Sequence, residues 1–183
     1  MYRKSSALLL AFVIGLGVAR AQPEKTFSLT ISPIHLLLPA VELTGEYALT
    51  QKLGIAGIAG YGKTTTENSL NENVDIPILE LGGQLDYYAI GSFRHGMQVG
   101  AEVLWIKVSP PKDQGVTLAG NGLAVGPLLG YKWAAGFGLT IFLQGGYEFL
   151  FAQAKAEDPS GQEIDSSIDS GIPLVNANVG WSF

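Results

Sequence analysis

Three observations in this 183-residue sequence predict an all-β fold. Segment after segment alternates apolar and polar residues at period two. The 24 glycines follow no collagen-like repeat and are too many for a helical protein. Past the N-terminus, no stretch approaches the roughly 18 apolar residues of a membrane helix. With 47% hydrophobic and only 15% charged residues, against about 25% charged in average domains, the pattern predicts an eight-stranded antiparallel up-and-down transmembrane β-barrel. Residues 22–183 form the barrel, and residues 1–21 are a cleaved signal peptide. Apolar character spread through alternating strands, not gathered into runs, is what such a barrel requires.

The N-terminal assignment rests on Arg3 and Lys4 before an apolar run from Ala7 to Ala19, with Ala19-Arg20-Ala21 at the spacing of a cleavage site after Ala21. A retained anchor helix competes with it, against the shortness of the run. Losing Arg3, Lys4 and Arg20 leaves eight bases against sixteen acids, a net charge of −8, which argues against nucleic acid as a partner. With no cysteine there is no disulfide framework, thiolate metal site or haem attachment site.

The strands follow in order. Phe27 to about Leu38 places Phe27, Leu29 and Ile31 opposite Ser28, Thr30 and Ser32; Pro33 interrupts the ladder donors and Pro39 marks a tight turn. Val41 to Leu49 sets Val41, Leu43, Tyr47 and Leu49 against Glu42, Thr44 and Glu46, and Thr50-Gln51-Lys52 turns the chain. Leu53 to Gly62 is a glycine-rich third strand, followed by a polar stretch, Lys63 to Asp75, read as a long loop. Pro77 to Ala89 points Leu79, Leu81, Leu85 and Tyr87 one way and Glu80, Gln84, Asp86 and Tyr88 the other. A turn from Gly91 to Gly96 leads to Met97–Val108, with Val99, Ala101, Val103 and Trp105 opposite Gln98 and Glu102. Ser109 to Gly115 is a loop. Thr117 to Trp133 has one large apolar face and one small face carrying Gly126, Gly130 and Lys132.

After a turn at Ala134–Gly136, Phe137 to Ala152 sets Leu139, Ile141, Leu143, Tyr147, Phe149 and Phe151 against Thr140, Gln144 and Glu148. Gln153 to Gly171 is acidic, Ser-rich and without apolar periodicity, and is read as a loop. Leu174 to Phe183 closes the set, with Val175, Ala177, Val179, Trp181 and Phe183 opposite Asn176, Asn178, Gly180 and Ser182. An edge strand of a soluble sandwich would alternate in the same way. The aromatics separate the two: Tyr47, Tyr87, Tyr131, Trp133, Phe137, Trp181 and Phe183 fall at one end of the strands, and Tyr61, Trp105, Tyr147 and Phe149 near the other. Two belts are what membrane interfaces select.

Gly57-Ile58-Ala59-Gly60-Tyr61-Gly62-Lys63-Thr64 matches the G-x-x-x-x-G-K-T phosphate loop, but the following Thr64–Asn71 is a poor helix, and the loop needs a helix N-terminus to cradle phosphate. A glycine-rich strand ending in a polar segment is preferred. The acids Glu42, Glu46, Glu80, Asp86, Glu102 and Glu148 share the inner face with Lys132, either as a hydrated polar core or as a cation site or proton-linked path. Inward Ile58, Leu104, Ile106, Leu128, Phe142 and Leu150 are packing filler or the lining of a hydrophobic site. The histidines, His35 and His95, fall at opposite barrel ends and make a metal site implausible.

The closing segment, ending on Phe183, resembles the C-terminal strand of bacterial outer-membrane barrels, which their assembly machinery reads. The whole mature chain is similar to the small outer-membrane β-barrel superfamily that includes the OmpX-, OmpW- and OmpA-like barrels, with no specific member indicated. The resemblance implies a monomer in the cell outer membrane, in contact with outer-membrane lipids and lipopolysaccharide. It implies recognition by the assembly machinery through Trp181 and Phe183; with the chain ending at Phe183, no peptidoglycan-binding domain is expected after the barrel. The leading expectation is a non-enzymatic protein with exposed loops and a narrow polar lumen, with no catalytic, cofactor or metal residues. The alternatives are a small hydrophobic ligand binding or transport barrel, and a lipid A-modifying enzyme centred on His35 with Ser32 or a nearby Glu.

Overall fold

The computed structural model describes residues 25–33, 40–67, 73–109, 119–157 and 163–183. Eight strands, β1 (Phe27–Ile31), β2 (Ala40–Ala48), β3 (Leu53–Glu67), β4 (Asn73–Gly91), β5 (His95–Val108), β6 (Ala119–Ala134), β7 (Leu139–Glu157) and β8 (Glu163–Ser182), pair in sequence order. Every pair is antiparallel, and β1 returns to β8 through Leu29 opposite Trp181 and Ile31 opposite Val179, so the sheet is a closed barrel. The closing seam is short, Ser28–Ile31 on Val179–Ser182; above it the β1-facing edge of β8 has no strand partner among the described residues. Among the described residues there is no helix, and hence none long and apolar enough to cross a membrane.

The period-two alternation decides the faces, since successive side chains on a strand point opposite ways. Leu43, Ile55, Leu85, Leu129, Leu143 and Val175 are exposed on the outside, while Glu46, Asp86, Glu102, Lys132 and Glu148 are buried inside. That is the reverse of a water-soluble fold.

Short turns gather at one end, which we call the lower end. In the first, the Thr50 hydroxyl accepts the amides of Lys52 and Leu53 at 3.1 and 3.0 Å, a side-chain turn that needs only local residues. The other two use Gly91 (φ 81°) and Gly138 (φ 123°), whose backbone lies where a Cβ would be strained. Phe93, expected in a surface turn, folds inward instead. It is 1% exposed, meets the Tyr88 ring edge-on at 5.9 Å, and its amide donates to the Gln51 carbonyl at 2.9 Å.

Several boundaries differ from the sequence-based expectation. β1 ends at Ile31 instead of running to Leu38: the Ser32 amide still donates to the Glu42 carbonyl at 3.1 Å, but Pro33 has no amide hydrogen to continue the ladder; residues 34–39, with His35 and Pro39, lie outside the described residues. The stretch Lys63–Asp75 is mostly hairpin, not loop: β3 and β4 stay paired from Lys63↔Pro77 to Glu67↔Asn73. Thr65 donates to Asp75 at 3.0 Å and Lys63 pairs with the same carboxylate at 3.4 Å. Likewise Gln153–Gly171 is paired through Glu157↔Glu163, so β8 starts at Glu163 instead of Leu174. Ladder bonds are made by backbone, so a strand rising beyond an apolar environment keeps its pairing without keeping an apolar face. The expected loop at Ser109–Gly115 and the start of β6 at Thr117 fall largely outside the described residues.

Candidate functional site

The interior has three levels, each set by the inward residue type of the strands. At the lower end, Ala48, Tyr88 and Phe93 pack as an apolar floor. Lys132 of β6 lies on it, its ammonium 3.4 Å from the centroid of the Phe93 ring. The ammonium donates to Glu46 at 2.5 Å and to Ser28 at 3.0 Å, and Tyr88 donates to the other Glu46 oxygen at 2.6 Å. Lys132 and Glu46 are almost wholly buried. Their charges are matched by one another, and Glu46 is further held by neutral donors, the arrangement a buried ion pair needs.

Above the floor is an acidic chamber. Gln98 donates to Asp86 at 3.1 Å, Gln84 to Glu102 at 3.3 Å, and Asn176 to Glu42 at 3.1 Å. Glu102 and Glu148 lie within hydrogen-bonding reach of each other. Gln84 Oε1, Asp86 Oδ2, Gln98 Oε1 and Glu148 Oε1 accept no bond from protein. Buried acceptors of this kind ordinarily take internal water as their donor. Among the described residues, no group of three or more His, Asp or Glu could hold a metal ion.

The third level is apolar. On β4 the inner face changes from Asp86, Gln84 and Glu80 to Ile78, Ile76 and Val74; on β5 from Gln98 and Glu102 to Leu104, Ile106 and Val108; on β7 from Gln144 and Glu148 to Leu150 and Ala152. Ile58, Leu104 and Ala124 form its base, with Ile106 and Leu150 against them. The outer face changes the opposite way at this height: Tyr61 gives way to Lys63, Leu79 to Asp75, Trp105 to Lys107, Leu123 to Asn121 and Phe151 to Gln153. The strands therefore invert their amphipathicity near the upper mouth. Inside that mouth, between Ile106 and Val108 on β5 and Leu150 and Ala152 on β7, a cavity of about 200 Å³ lies over Gly120 and Gly122.

The residues singled out from sequence are placed as follows. The inward acids and Lys132 share the interior as expected, but they spread along it: Glu46 with Lys132, Asp86 within electrostatic reach of both, Glu102, Glu148 and Glu42 above, and Glu80, half-buried, highest on β4 opposite Ile106. Ser32 is buried, and its hydroxyl donates to Asn176 Oδ1 at 2.8 Å, extending the Glu42 chain. His35 lies outside the described residues. His95 is on the outer face at the lower end, stacked on Trp133 with centroids 6.2 Å apart, and its Nδ1 accepts the Ala134 amide at 3.3 Å. The phosphate-loop match, Gly57 to Thr64, is continuous antiparallel strand within β3; no helix N-terminus follows it to receive phosphate. Phe93 and the polarity inversion were missed, because a turn residue carries no periodic signal and the strands were cut short where their polar outer face begins.

No protein-family model matches the chain, and no curated protein sequence is similar to it. Fold and interior define a closed eight-stranded sheet with a buried polar layer between two apolar ones, and a fold of this kind does not by itself fix a function.

Proposed function

We propose that the chain is an integral outer-membrane β-barrel protein without catalytic activity, acting through its exposed upper hairpins. One observation carries this reading: the height of the outer apolar band. Leu53 to Tyr61 on β3, Leu79 to Tyr87 on β4, Met97 to Trp105 on β5, Leu123 to Trp133 on β6 and Ile141 to Phe151 on β7 bound it. Each span is about 9–11 residues, the length of a tilted membrane strand. A water-soluble barrel would not expose Leu129, Leu143 and Val175 at 60%, 55% and 67%. Trp133, Trp181 and Phe137 ring the lower edge, and Tyr61, Trp105 and Phe151 the upper one, in keeping with interfacial belts.

An outer groove of about 280 Å³ between Trp105, Leu123 and Phe151, edged by Asn121, Gln153, Ser167 and Asp169, suits a lipid chain below and a hydroxyl-rich headgroup above. Lipopolysaccharide and other outer-membrane lipids are its proposed contacts. A general pore is disfavoured, since eight strands leave room only for side chains and the Phe93 floor with Lys132 closes the lower end.

The chain should fold in detergent micelles or lipid vesicles to a form that migrates anomalously on a gel unless boiled, with β-type circular dichroism. Unchanged migration with helical dichroism would exclude a barrel. As a non-enzymatic protein it should leave the mass spectrum of lipid A unaltered; loss or gain of one acyl chain, abolished in His35→Ala, would make it an enzyme.

The assembly signal proposed for Trp181 and Phe183 becomes part of the ladder on folding. The Phe183 amide donates to the Phe27 carbonyl at 2.8 Å and its own carbonyl accepts from Thr26 at 2.9 Å, with the Phe27 and Phe183 rings stacked at 6.3 Å. The segment is therefore readable only before β1 and β8 close. Phe183→Ala should lower the yield of assembled barrel in cells much more than the stability of the barrel folded in vitro. Equal losses in both assays would reduce Phe183 to a packing residue.

A further inference from the structure

We propose that the trough over Gly120 and Gly122, at the upper mouth of the barrel, binds one small uncharged apolar molecule: a hydrocarbon ring or a short aliphatic chain. The orientation of the mouth toward the exterior rests on the membrane reading above; the trough itself does not.

The trough is built by sequence. Register sets Ile106 opposite Gly122, Val108 opposite Gly120, and Gly122 opposite Ala152. β6 therefore supplies two successive inward positions with no side chain, between walls of β5 and β7 that carry Ile106, Val108 and Leu150. Glycine in a strand interior weakens the strand and marks a close approach or a place kept open. Here the neighbours are side chains: a Cβ built at Gly122 meets Leu150 Cδ1 at 3.3 Å, close enough that this methyl must give by a few tenths of an ångström, and Ala152 Cβ at 3.5 Å, with no backbone atom nearer than the Phe151 carbonyl at 3.7 Å. At Gly126, lower on the same face, a Cβ would run into the β7 backbone. Gly126 is thus required by strand approach, whereas Gly122 is not.

A purely structural cap over the acidic chamber would be filled to the density of a protein interior. One wall of the mouth is so filled, with Val74 and Ile76 only 2% and 3% exposed. The other is open: Ile168 and Ile172, on the inner face of β8, are 49% and 37% exposed. An apolar cavity of roughly 150 Å³ suffices for benzene, so about 200 Å³ takes a substituted ring or its equivalent in chain.

Charge settles the ligand class. No ionisable side chain lines the trough. The acids near it are Glu102 and Glu148 below, which share a proton in their mutual hydrogen bond, and Glu80 of β4, opposite Ile106 and turned toward Gly60, so an anion such as a fatty-acid carboxylate would still meet negative charge. A cation would have to cross the Ile58–Leu104–Ala124 layer to reach Glu102 and Glu148. A neutral apolar molecule meets neither penalty.

The test uses the chain folded into lipid nanodiscs and titrated with N-phenyl-1-naphthylamine, with energy transfer from tryptophan as readout and empty nanodiscs as blank. Gel migration of the same sample judges the membrane reading separately; a chain that folds only in water would overturn that reading, and the same titration in buffer would still judge the trough. A saturable component near one probe per chain is expected. Gly122→Leu, which fills the trough from its floor, should weaken it about tenfold or more, since two excluded methylene groups already correspond to that. Val108→Phe should do the same from the opposite wall, should the first variant not fold. Glu102→Gln, below the apolar layer, should leave binding unchanged, and the anionic analogue 1-anilinonaphthalene-8-sulfonate should bind more weakly. Absence of a saturable component, binding by both filling variants as tight as by the parent chain, or tighter binding of the anionic probe would overturn the assignment.

Discussion

Replacing Lys132 with Met is expected to destabilise the folded barrel by about 3–5 kcal/mol, the cost of breaking a buried ion pair by removing one partner. The geometry places this loss at the upper end of single-residue effects. Glu46 receives Lys132 at 2.5 Å, Tyr88 at 2.6 Å and Ser28 at 3.4 Å, and is 1% exposed. Among the described residues Lys132 is the only fully buried base. Met would keep much of the packing against Phe93, Tyr88 and Phe142, and the loss would report charge more than volume. The double variant Lys132→Met with Glu46→Gln separates the two: a neutral pair in place of a buried ion pair is often no worse than the original, so most of the stability should return. Tyr88→Phe, removing one neutral donor to Glu46, should cost only about 1–3 kcal/mol. Urea unfolding from lipid vesicles, followed by tryptophan fluorescence, measures all three. A Lys132→Met variant within about 1 kcal/mol of the parent would mean that water reaches past the floor and solvates Glu46.

That ion pair also shows where sequence reading stops. The inward placement of Glu46 and Lys132 was legible from period-two alternation on β2 and β6, because a polar inner face and an apolar outer face differ in composition at every second residue. Their pairing was not: 86 residues separate them, and they meet only because closure brings β6 across the lumen from β2. Phe93 was misread for a related reason. Its three-residue turn has no period, and only the third dimension reveals the space beneath the floor that it fills. The hairpin extensions were missed because Ser166, Ser167, Asp169 and Ser170 offer no apolar face, although their backbone pairs as well as any. The trough was half visible. Ile106 and Leu150 were noted as inward aliphatics, but Gly120 and Gly122 acquired meaning only once register set them between those side chains.

Leu129→Arg tests the membrane itself. Leu129 is 60% exposed on the outer face of β6, near the middle of the band between Leu123 and Trp133. If that face met water, an exposed Leu changed to Arg would shift stability by no more than about 0.5 kcal/mol. Facing the bilayer midplane, the same change should cost about 2–4 kcal/mol, falling to about 0–1 near the interface. Asn121→Arg, on the same face but beyond the band, is the control; opposite Lys107 it should cost no more than the roughly 0.2–1 kcal/mol of a like-charged cross-strand pair. The expected result is a depth gradient along one strand, steep in lipid vesicles. No local packing argument produces it, because both side chains point away from the core and neither variant touches the inner network. A flat response at both positions would leave the eight-stranded closure intact and remove the membrane as the reason for its apolar exterior. A gradient would fix the height of the bilayer on β6 and with it the side of the membrane boundary on which the trough opens.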